Sequence, residues 1–175
     1  TGSQFKQVAG AKITLQNASA NNPRPSLYIN LDLDDNPLAA DIDSTAIIQF
    51  GNLTTLANQS FTLYSNVELG DLVIDSTGLY SPKLSLSTLP LTLKGNLEIL
   101  DAAEFDANGL DLTLKGDFVN YGSFVPNNNE VIFNGTKRQY IIGNVSFYDL
   151  TKNASDTLYL APGSEIEVSH LLSLE

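Results

Sequence analysis

The residues best placed to do chemistry are acidic. Asp32, Asp34, Asp35, Asp41 and Asp43 fall within a stretch of 12 residues that also holds Asn36. Calcium takes about six to eight oxygen ligands, and alternating carboxylates with a neighbouring amide can supply them. The stretch lacks the glycine and the closing glutamate of an EF-hand loop. The chemistry expected is weak calcium binding at an irregular turn. The simpler reading is a solvated turn with surface carboxylates. No other cofactor is expected.

Catalysis has fewer candidates. His170 is the only histidine and there is no cysteine. Thiol nucleophiles and thiolate metal sites are thereby excluded, and histidine-based triads and zinc sites have little to build on. Glu98, Asp101, Glu104 and Asp106 lie close together, and a glycosidase needs two carboxylates beside a sugar groove. With 20 acidic residues, such proximity arises by chance. No tryptophan offers a stacking platform for sugars, although Tyr80, Tyr121, Tyr140, Tyr148 and Tyr159 can partly replace it. Lys137-Arg138 is a local positive spot suited to an acidic partner or a polysaccharide carboxylate, or simply a solvated turn. A non-enzymatic protein is expected, with no catalytic residue.

The composition narrows the partners. The net charge is −11, with only 9 basic residues. Neither nucleic acid nor an anionic membrane surface suits such a chain. No apolar run is long enough to span a bilayer, so membrane insertion is not expected. No signal peptide opens the chain. The pattern expected is a mature piece of a larger exported protein, placed outside the cell or on its surface. A hydrophobic content of 42% supports a core built from aliphatic residues with 8 Phe and 7 Tyr.

The elements that must position these residues read as strands. Ile13 and Leu15 alternate with polar neighbours, and Leu27, Ile29, Leu31 and Leu33 follow at a period of two. After Ala39, short apolar runs alternate with Gly, Asn, Asp and Ser, and helical spacing appears nowhere. Leu91-Thr-Leu-Lys-Gly95 returns as Leu112-Thr-Leu-Lys-Gly116, 21 residues later. Each copy continues with a polar and then a large apolar residue: Asn96 and Leu97, then Asp117 and Phe118. That spacing suits one coil of a β-solenoid. A looser echo sets Asp71-Leu72 against Asp149-Leu150, 78 residues on, or nearly four coils.

The fold expected is all-β, a parallel β-helix-like solenoid with coils of about 20 residues over residues 41–175. Residues 1–40 are expected to form a strand pair serving as a cap or junction. Leu91, Leu93, Leu97, Leu112, Leu114, Phe118, Phe124, Val131, Phe133 and Leu150 should point inward, with threonine and lysine of the repeat outside and its glycine at the corner. The alternative is an antiparallel β-sandwich, in which Asn108-Gly109 and Asn134-Gly135 would turn hairpins. An open solenoid end at Leu171–Leu174 would leave a strand edge for another chain.

The second half reads Leu112-Thr-Leu-Lys-Gly-Asp-Phe-Val-Asn-Tyr-Gly-Ser-Phe-Val-Pro126, then Val131-Ile-Phe-Asn-Gly135, then Ser146-Phe-Tyr-Asp-Leu150. This resembles a repeat of very large secreted surface proteins of gliding, type IX-secreting Gram-negative bacteria. Lys137-Arg-Gln-Tyr140 and Asp149 depart from the usual small polar run and asparagine. The resemblance implies a right-handed parallel β-helix at the cell surface, working as an adhesin-like stalk or spacer, with structural motif residues. Its partners would be neighbouring modules of the same larger protein, or a surface glycan or protein ligand. Two alternatives are a carbohydrate-binding adhesion module and a polysaccharide hydrolase or lyase. Asp-Ser/Thr pairs that place Ser44, Ser76 and Thr157 after an aspartate resemble the O-glycosylation signal of the same bacteria. Six Asn-x-Ser/Thr sequons also occur.

Overall fold

The computed structural model describes residues 4–18, 25–31, 33–34, 38–76 and 80–175. Among them are strands and turns but no helix. One seven-stranded sheet holds β2 (Lys12–Leu15), β5 (Ile47–Phe50), β7 (Asp71–Ile74), β10 (Leu97–Ile99), β13 (Phe118–Asn120), β16 (Gln139–Gly143) and β18 (Leu158–Leu160) in that order. A five-stranded sheet holds β3 (Leu27–Ile29), β6 (Ser60–Ser65), β8 (Lys83–Leu86), β11 (Glu104–Asp106) and β14 (Ser123–Val125). A second five-stranded sheet holds β9 (Leu91–Leu93), β12 (Leu112–Leu114), β15 (Glu130–Phe133), β17 (Val145–Lys152) and β19 (Ile166–Leu174). β1 (Phe5–Gln7) and β4 (Ala40–Ile42) form a two-stranded sheet.

Every pairing between these strands is parallel. The chain is a β-solenoid, and the sandwich reading is excluded. Asn108 and Gly109 do adopt positive φ, at 54° and 72°. They turn a corner between β11 and β12, which belong to different sheets, and make no hairpin. Asn134-Gly135 likewise joins strands of two sheets.

The repeat sets the register. Leu91, Thr92 and Leu93 stand opposite Leu112, Thr113 and Leu114. Later steps are similar: Leu112 faces Val131, and Val131 faces Leu150. The first step is longer, with Lys12 facing Ile47. All ten residues expected to point inward are buried, none more than 8% exposed. Buried residues form columns along the axis, such as Ile48, Leu72, Leu97, Phe118 and Ile141. Side chains alternate in and out along a strand, so alternate positions face the core. Phe118 touches Phe124 and Phe147 edge-on, with centroids 5.3 and 5.5 Å apart.

Three expectations change in detail. β1, β2 and β3 are each terminal in their sheets, so the described part of the first forty residues stands as an end coil of three strands. The strand expected over Leu27–Leu33 stops at Ile29. Beyond it, the Asn66 side chain takes over the pairing, accepting from the Leu31 N–H at 3.0 Å and donating to the Leu31 carbonyl at 2.8 Å. The 78-residue echo is not structural: Asp71 lies in the seven-stranded sheet and Asp149 in another. Similar dipeptides on different faces cannot stack.

The polar residue after each Leu-Thr-Leu-Lys-Gly copy joins the coils along the axis. Asp71 Oδ1 accepts the Asn96 N–H at 2.6 Å. Asn96 Oδ1 accepts the Asp117 N–H, and Asp117 Oδ1 accepts the Tyr140 N–H, both at 2.8 Å. A Cβ on Gly95 would run into Asp71 Oδ1 and the Ser44 carbonyl, so the corner has room only for glycine. Lys94 reaches across to the Ile42 carbonyl at 2.8 Å, and Lys115 to Glu68 at 2.9 Å.

Column and corner should differ in weight. Phe118→Ala removes a fully buried ring and is expected to cost about 3–5 kcal/mol. Asn96→Ala removes one partly solvated acceptor and is expected to cost about 0.5–1.5 kcal/mol. Urea unfolding of both variants beside the parent checks the ordering.

Candidate functional site

The acidic segment is built as a turn. Asp43 accepts the Thr45 N–H at 2.8 Å and the Thr45 hydroxyl at 2.7 Å. These bonds, the backbone one first, hold its carboxyl below the ordinary range. Asp41 pairs with Lys6 at 3.4 Å, both side chains well exposed. Asp34 is exposed in a turn, whereas Asp32 and Asp35 lie outside the described residues. Among the described residues, no group of three or more Asp, Glu, His or Cys side chains gathers as a metal centre.

The other candidates are dispersed. Glu98 sits on β10, Asp101 at the next corner, and Glu104 and Asp106 on β11. Glu104 is paired with Lys83 at 3.0 Å. Asp106 Oδ1 accepts from the Asn108 N–H and from Asn127 Nδ2, each at 2.7 Å. His170 lies on the outer face of β19, its Nδ1 2.7 Å from Asp149 Oδ1 and its ring stacked on Tyr148 at 4.7 Å. Arg138 lies over the Tyr159 ring at 4.9 Å, and Tyr159 stacks on Tyr140. A hydrogen bond with Tyr140 and the two phenol oxygens favour its charged form. Lys137 is exposed beside it. Of the hydroxyls that follow aspartates, Ser44 and Thr157 are exposed and Ser76 is buried.

The feature with the widest extent is the last coil. Leu160 continues the Ile141 column, Leu172 the Leu150 column and Leu174 the Lys152 column. Their exposures are 47%, 52% and 69%, whereas Ile141 and Leu150 are each at 1%. β18 and β19 are the outermost strands of their sheets. Leu171–Leu174 was the legible part of this surface. Leu160 joins it through the register of β18 against β16, which a three-residue strand after a turn does not reveal on its own.

Comparison of the chain with family models, with curated proteins and with solved structures found no match.

Two neighbouring carboxylates should show opposite pH signs. The Asp43 carboxyl is depressed, so its contribution to stability is present above the ordinary value of 3.8 and is lost as pH falls through the lower folded value. Asp71 is raised, first by desolvation and further by Asp43, against the opposing Asn96 N–H. Its ionisation therefore lowers stability as pH rises from 3.8 through the folded value. Asp43→Ala should lower the thermal midpoint at pH 7, by a margin that shrinks in acid. Asp71→Asn keeps the acceptor and should raise the midpoint at pH 7 but not below the carboxylate range. Thermal unfolding from about pH 2 to pH 8 checks both, with the parent run alongside as the reference.

Proposed function

We propose that the chain is a non-enzymatic structural segment of an extracellular or cell-surface protein of the adhesin-like kind. Neighbouring modules of the same larger protein would stack on its end and hold a binding end away from the cell. One observation carries this reading: the core columns run into the last coil, where Leu160, Leu172 and Leu174 stand 47–69% exposed. A solenoid coil cannot bury its apolar face alone, and end coils that stay in water are usually polar on their outer side. The surface presented is the one a further coil would cover, with parallel strands added to β18 and β19.

Appending a second copy of residues 153–174 after Leu174 tests this. Covering three half-exposed leucines is expected to raise the thermal midpoint by about 5–10 °C. The same extension with the added copy's equivalents of Leu158, Leu160, Leu172 and Leu174 changed to Ser should give no rise. An unchanged or lowered midpoint with the unaltered copy would overturn the stacking reading.

A further inference from the structure

The five-stranded sheet of β3, β6, β8, β11 and β14 ends at β14, yet the chain goes on to form β16–β19. β16 passes to β17 through Asn144 alone. The first residues of β17, Val145–Phe147, pair with β19, and only its last four pair with β15. β14 and the start of β17 therefore lie side by side without a ladder between them. Phe147 fills the space beneath, 6.0 Å from Phe124 between centroids. Above it runs an open groove of about 420 Å³.

The groove is polar. Asn120, Ser123, Asn144, Ser146, Glu165 and Glu167 line it, with no lysine or arginine among the lining residues. Glu165 and Glu167 are two apart on an extended segment and project to one face. Asn144 Oδ1 accepts the Glu165 N–H at 3.0 Å, and Ser146 donates weakly to Glu167 at 3.4 Å. Asn120 is 4% exposed; its Nδ2 donates to the Asn144 carbonyl at 2.7 Å, while its Oδ1 has no partner. Gln7 and Asn129 also leave a buried oxygen unpaired, but Asn120 is the one of the three that borders this groove. An adjoining hollow shares Asn120, Gly122 and Asn144 and adds Tyr121, which is 56% exposed.

This chemistry disfavours apolar and anionic ligands. An apolar molecule would strand the carboxylates and amides. An anion would meet two carboxylates on a chain of net charge −11. A hydroxyl-rich neutral molecule can donate to Glu165 and Glu167, exchange hydrogen bonds with Asn144 and Ser146, and lay an apolar ring face on Tyr121. We propose that the groove binds a neutral oligosaccharide, with Tyr121 as the stacking platform and the two glutamates as acceptors for sugar hydroxyls. This does not depend on end-to-end stacking.

Calorimetric titration of the intact chain with cellohexaose, laminarihexaose and hexa-N-acetylchitohexaose, and with hexagalacturonate as the anionic comparison, tests the proposal. At least one neutral hexasaccharide should bind, and hexagalacturonate should not. Tyr121→Ala and Glu167→Ala should each weaken binding tenfold or more, with circular dichroism and thermal midpoint unchanged. Tyr28→Ala, at a tyrosine outside the groove, should leave it intact. Binding by none of the neutral sugars, binding of hexagalacturonate, or undiminished affinity in both groove variants would overturn it.

Discussion

Everything in this molecule depends on parallel, in-register pairing between successive coils. A single coil offers a few short strands, each with two or three apolar residues and free backbone groups on both edges. It has no core until the next coil covers it. In-register pairing does two things together: it closes the backbone hydrogen bonds and lines up the leucines and phenylalanines into columns. A slip of one residue would turn each column outward. The repeated Leu-Thr-Leu-Lys-Gly segments guard against that slip, because leucine, threonine and leucine face their own kind across the ladder.

Corners are where this arrangement meets resistance, since strand ends free carbonyls and N–H groups from the ladder. The chain answers with short polar side chains. Asp71, Asn96 and Asp117 accept N–H groups from the following coil. Inward-facing amides do the reverse: Gln139 donates to the Leu114 and Gly116 carbonyls, and Gln7 to those of Ala11 and Ile47. Gly143 holds φ at 91°, and a Cβ there would overlap the Asn120 carbonyl, so the corner beside the groove needs glycine. Among the described residues, Lys152 is the one buried ionisable side chain in the columns. It stands between Phe133 and Leu174 at 5% exposure, its ammonium 3.4 Å from the Phe133 and Gly135 carbonyls and Gln139 Oε1. Burial pushes its pKa down, and Asp156 pulls the other way.

Much of the fold was legible because its signals are local and repeated. Alternation gave the strands, the pentapeptide pair gave the period, and the inward residues followed from both. The long echo misled because dipeptides carry no information about which face they occupy. The end of the Leu27 strand depended on Asn66, a residue 35 positions away from Leu31. The groove left no linear signature at all. Its residues come from Asn120 to Glu167, and it exists only because one sheet stops while two continue. The acidic segment was the most conspicuous chemistry in the sequence, yet its two best-defined carboxylates serve a turn and a surface ion pair.

In-register stacking can be tested with cysteines, since the chain has none of its own. Thr92, Thr113 and Ile132 occupy one outer column on consecutive coils. Adjacent parallel strands lie about 4.8 Å apart, within reach of a disulfide, and next-but-one strands at about twice that are not. Paired substitutions Thr92→Cys with Thr113→Cys, and Thr113→Cys with Ile132→Cys, should oxidise to intramolecular disulfides without loss of the folded circular dichroism spectrum. Thr92→Cys with Ile132→Cys should stay reduced. A reduced Thr92/Thr113 pair, or ready oxidation of the Thr92/Ile132 pair, would contradict the stacking on which the whole account rests.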